Sequence, residues 1–66
     1  MPYAIGDYVI ADKAEFDTFP GTFRVSEFAR NMFGEPIIRI TDITDRTRVL
    51  TFYPHELSYE DGSQPL

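Results

Sequence analysis

Two short signatures near opposite ends of the chain constrain its fold most. Gly6-Asp7-Tyr8-Val9 joins a turn signal to the start of a strand-like run, Tyr8-Val9-Ile10-Ala11. Phe52-Tyr53-Pro54-His55-Glu56-Leu57 ends an apolar run in a proline. Proline lacks the N–H that a ladder needs, so it stops the strand before it, and its fixed φ suits a tight helical turn. The pair therefore predicts a first strand near residue 8, and a strand, a 3₁₀ turn over Pro54–Leu57 and a short closing strand, Leu57-Ser58-Tyr59, near the other end.

Between them the signals are those of β-structure. Asp12 to Pro20 reads as a long polar and aromatic loop, punctuated by Pro20-Gly21. From Thr22 to Phe28, Phe23 and Val25 alternate with Arg24 and Ser26, the period of a half-buried strand. Phe19, Phe23 and Phe28 also fall near helical spacing, but Pro20-Gly21 breaks that pattern. Arg30 to Glu35 is a connecting loop with Gly34 suited to positive φ. Pro36 to Asp42 is the third strand, Thr44 to Thr47 a polar hairpin turn, and Arg48 to Tyr53 the fourth strand. Residues 1–60 are expected to form one domain, and Asp61 to Leu66 a flexible tail.

Five short strands with few helical signals indicate an all-β, five-stranded barrel, whose closure would hide its edges. The expected core is Val9, Ala11, Phe23, Val25, Ile38, Ile40, Leu50 and Leu57. Both faces of the fourth strand are apolar, so Val49 competes with Leu50 for the inward position. The third and fourth strands carry more apolar residues than one core face requires, which points to self-association or a partner.

Composition narrows the chemistry. A domain of this size, 66 residues, buries only about 60% of the surface its unfolded chain exposes. The chain has no cysteine, which excludes disulfides and thiolate metal sites, and its one histidine, His55, cannot make a His-rich site. No Asp-rich loop of EF-hand spacing is present. No metal or cofactor is expected. Six Phe and four Tyr are many for so small a core, so some rings are expected at the surface. Eleven acids against six bases, a net charge of −5, argue against direct nucleic-acid binding and for a basic partner or simple solubility. The opening residues have neither the basic start nor the long apolar stretch of a signal peptide, and no segment is long enough to span a bilayer, so a cytoplasmic protein is expected.

The residues Gly6-Asp7-Tyr8-Val9, Gly21-Thr22-Phe23-Arg24-Val25 and Phe52-Tyr53-Pro54 with Leu57 resemble the SH3-like barrels of KOW modules and of plasmid-encoded type II dihydrofolate reductases. The resemblance spans most of residues 5–60 and implies a five-stranded SH3-like barrel, with a long loop after the first strand and a 3₁₀ turn before the last. The reductases carry a Gln-Ile-Tyr run before the proline and form a tetramer around a shared pore. Here the matching residues are Thr51-Phe52-Tyr53, and threonine cannot reproduce the donor and acceptor set of the glutamine amide. KOW modules serve nucleic-acid machines, and some bind protein rather than RNA.

Four groups of residues are candidates for function. In peptide-binding SH3 domains the loop after the first strand is acidic, and here that loop offers Glu15 and Asp17, with Phe16, Phe19 and Tyr53 as ring contacts. The plainer reading is a solvated acidic loop pinned by one Phe. Met32 and Phe33 are two large apolar side chains in a loop, placed either to reach a partner or, for Phe33, to cap the open end of the barrel. His55 and Glu56 adjoin, but no nucleophile motif accompanies them, so no catalytic residue is assigned. Arg24, Arg39, Arg46 and Arg48 either meet an anion or pair across strands with Glu27, Asp42 and Asp45. The expected function is a small acidic, non-catalytic interaction module, a regulator or inhibitor of the kind phages and mobile elements encode. It would bind a protein partner, or itself, through Glu15, Phe16, Asp17, Phe19, Met32, Phe33 and Tyr53. An oligomeric reductase-like enzyme and a nucleic-acid-associated module are the alternatives.

Overall fold

The computed structural model describes residues 2–15 and 17–65. Five strands form one antiparallel sheet: β1 (Tyr8–Ala11), β2 (Phe19–Arg30), β3 (Pro36–Asp42), β4 (Val49–Phe52) and β5 (Ser58–Tyr59). Their order is β4-β3-β2-β1-β5, so β4 and β5 are the two ends of the sheet and no ladder joins them. A single 3₁₀ turn, Pro54–Glu56, separates β4 from β5. Among the described residues no helix is long and apolar enough to cross a membrane.

The approach to β1 depends on Gly6. Its φ of 92° lies in the left-handed region, and its N–H donates to the Val25 carbonyl at 2.8 Å. The Val25 N–H returns to the Asp7 carbonyl at 2.9 Å, which ties the turn to β2. β2 is longer than the alternation of Thr22–Phe28 predicts. It begins at Phe19, which pairs with Ala11, and continues to Arg30, opposite Pro36. Pro20 is tolerated because it lies next to the strand's first residue, in the stretch where the register with β1 shifts and a missing donor costs little. A register shift between Val25 and Glu27 puts a bulge at Ser26. A bulge bends a strand and increases its local twist, so β2 can serve both β1 and β3. β4 is shorter than Arg48–Tyr53, because the Arg48 N–H closes the preceding turn on the Asp45 carbonyl at 3.0 Å.

Inward positions alternate as the pleat demands. Val9, Ala11, Phe23, Val25, Ile38, Ile40 and Leu57 are buried as expected. Leu50 is half-buried and packs on the edge of the core, while Phe52, opposite Ile38, takes the fully inward place on β4. Val49 points outward. Tyr3, which lies ahead of every strand, is also buried, edge-on to Tyr59 at 5.1 Å. Burial raises its phenol pKa, and its hydroxyl has no hydrogen-bond partner among the described residues. Gln64 bonds back to the sheet end: its amide donates to the Leu57 carbonyl at 3.1 Å and to Ser58 Oγ at 2.7 Å.

Candidate partner-binding site

The loop between β2 and β3 is organised by Asn31. Its side-chain oxygen accepts the N–H groups of Phe33 (2.9 Å) and Glu35 (3.0 Å). Its amide nitrogen donates to Glu35 Oε1 (3.0 Å) and to the Tyr53 hydroxyl (3.1 Å). The Asn31 N–H meets the Glu35 carbonyl, the Gly34 N–H meets the Asn31 carbonyl, and Arg30 Nη1 reaches the Gly34 carbonyl at 2.6 Å. Gly34 makes the turn possible with φ of 78°. These bonds hold the loop backbone and leave its apolar tip outside. Met32 is 90% exposed and Phe33 79% exposed. Phe33 therefore does not cap the core.

Tyr53 links this loop to the 3₁₀ turn. Its ring stacks on His55 at 5.5 Å with the planes 9° apart. Its N–H donates to Glu56 Oε1 at 2.9 Å, so the Glu56 carboxylate is engaged in the turn rather than with His55. Thr51, matched to the reductase glutamine, is exposed on the outer face of β4.

The first long loop meets the same turn from the other side, where the Lys13 N–H donates to the Glu56 carbonyl at 3.2 Å. Glu15 and Asp17 are exposed. Phe19 lies edge-on to Phe52 at 4.9 Å and packs on the core margin, so it is a structural contact more than a free ring. Phe16 lies outside the described residues. Of the seven expected contact residues, Met32, Phe33 and Tyr53 thus come together on one loop and its footing. Asp17 and Phe19 instead border a separate shallow groove of ≈ 390 Å³ beside Ala14 and Pro20.

The arginines divide. Arg39 pairs with Glu27 at 2.6 Å and Arg48 with Asp42 at 3.0 Å, the cross-strand and turn pairings the sequence allows. Arg48 also stands over the Phe23 ring at 5.1 Å. The asset that sequence reading missed is the Asn31 scaffold, whose signal is an Asn placed two residues before Phe33 and four before Glu35. Among the described residues no group of three or more His, Cys, Asp or Glu gathers to hold a metal. The chain matches no family model, no curated protein and no solved structure.

Proposed function

We propose that the chain is a small, non-catalytic interaction module on an SH3-like barrel, which binds a protein partner through the Met32–Phe33 tip. One observation carries the reading: two large apolar side chains, 90% and 79% exposed, stand on a loop whose backbone is already hydrogen-bonded in place. Burying such a side chain contributes about 1.5–3 kcal/mol. A held loop loses little further entropy on binding, so more of that gain appears as affinity. Tyr53, 36% exposed, adds an amphipathic ring at the foot of the tip, the kind of residue enriched at energetic centres of interfaces. The exposed acids Glu15 and Asp17 would steer a basic partner without fixing the contact. The SH3-like reading is supported by the strand order, the long loop between β1 and β2, and the 3₁₀ turn before β5.

The test is the double variant Met32→Ser, Phe33→Ser. Neither side chain touches the core, so the melting temperature should change little, and partners captured by the wild-type chain should be lost. Capture of the same partners by the folded variant would remove the tip from the interface.

A further inference from the structure

A second groove, of ≈ 560 Å³, lies on the outer face where β1, β2 and β3 run side by side. Its lining includes Tyr8, Arg24, Thr41, Asp42, Ile43 and Arg46. The register makes it one continuous row: Tyr8 lies opposite Arg24, and Arg24 opposite Thr41. β3 separates it from the Met32–Phe33 tip, since the groove uses the Asp42 end and the tip follows from the Pro36 end. Six residues of strand make that about 20 Å.

The groove concentrates unneutralised positive charge on an acidic molecule. Lys13, Arg39 and Arg48 each have a carboxylate partner. Among the described residues Arg24, Arg30 and Arg46 have none, and two of those three, Arg24 and Arg46, line this groove. Arg24 is held in place: its Nε donates to the Gly6 carbonyl at 3.1 Å and its guanidinium lies 5.6 Å from the Tyr8 ring centroid. One of its five N–H donors is thereby used, and the others remain available. Arg46 is exposed in the turn between β3 and β4.

The sign of the charge selects an anion. Asp42 is already paired with Arg48, so Arg24 and Arg46 are the charges of the lining left for a ligand. Guanidinium also matches a carboxylate with two parallel hydrogen bonds. Tyr8 and Ile43, each 48% exposed, flank the arginines with apolar surface for the neighbours of an acidic side chain. We propose that this groove binds a carboxylate side chain within an acidic peptide segment of a protein partner, seated between Arg24 and Arg46.

The probe is an acetylated, amidated peptide alternating Leu and Glu, titrated into the ¹⁵N-labelled chain at fixed ionic strength, beside its Leu and Gln counterpart. The Glu peptide should give saturable shifts at the amides of Arg24, Thr41 and Ile43, and the Gln peptide should give none. Arg46→Ala should weaken the Glu peptide about tenfold, the loss of one charge-assisted hydrogen bond. Lys13→Ala removes the same charge elsewhere and should change affinity less than about twofold. Three results would overturn the proposal: no saturable shift, equal loss from Lys13→Ala, or inorganic phosphate competing more strongly than the carboxylate peptide.

Discussion

Asp42 shows how one side chain closes a turn. Nearly buried at the end of β3, it accepts the Thr44 N–H and hydroxyl on Oδ1, both at 2.8 Å, and Arg48 on Oδ2. The Thr44 backbone bond, then its hydroxyl, then Arg48, hold the carboxyl pKa down at about 2. The same device recurs where Asp45 meets Thr47 and Asp61 meets Ser63, each with a lowered pKa caused first by the hydroxyl hydrogen bond. A carboxyl whose folded pKa lies below its unfolded value near 4 stabilises the fold above that value, and the contribution is lost as pH falls through the folded pKa. Asp42→Asn should therefore melt below the wild type at pH 7, and the gap should close between about pH 4 and pH 2. Melting curves across that range check it, and a gap independent of pH would mean the ionised form is irrelevant. The Asp-x-Thr and Asp-x-Ser spacings are plain in the sequence. That one of them sits nearly buried is not, because burial depends on which strand end the turn follows.

At the scale of elements, the β2–β3 loop and β4 illustrate two kinds of information. The loop is local: Asn31 reaches only as far as Glu35 for most of its bonds, and its one distant partner is Tyr53. Asn31→Ala removes the side-chain bonds to Phe33, Glu35 and Tyr53 together while leaving the ladder between β2 and β3 intact. Amide exchange at Phe33 and Glu35 should accelerate about tenfold or more, with Val25 and Ile40 unchanged, because local opening no longer breaks those bonds. Unchanged protection at Phe33 would show that the backbone turn holds itself. β4 is the contrary case. Both its faces are apolar, so period alone cannot orient it, and a shift by one residue exchanges the faces. Pairing with β3 settles it: Phe52 meets Ile38 and Leu50 meets Ile40, so Val49 and Thr51 turn outward.

The whole molecule measures 30 × 28 × 25 Å and exposes 4492 Å². A standard interface takes about 800 Å² from each partner, close to a fifth of this surface. The surplus apolar residues expected on β3 and β4 do not form such a face. Outward Val49 is flanked by Thr41 and Thr51, and Arg39 with its partner Glu27 occupies the next rung. Together with the charge of −5, this predicts a monomer by light scattering up to about 0.1 mM. A stable dimer at lower concentration would mean that the exposed tip or the outer face serves a second copy.

Turn and strand chemistry are local, and the sequence alone therefore determined much. Pro54 ended β4 and began the 3₁₀ turn, Gly34 marked a tight loop, and alternation placed Val9, Phe23, Val25, Ile38 and Ile40 inward. The tertiary structure decided what depends on neighbours distant in the chain. It buried Tyr3 against Tyr59, chose Phe52 over Leu50 for the centre of the core, and extended β2 back to Phe19 by pairing it with Ala11. It left Met32 and Phe33 outside, and it brought Arg24 and Arg46 to one groove although 21 residues separate them. Exposure and convergence are properties of surfaces, and a surface exists only once the strands have found their partners.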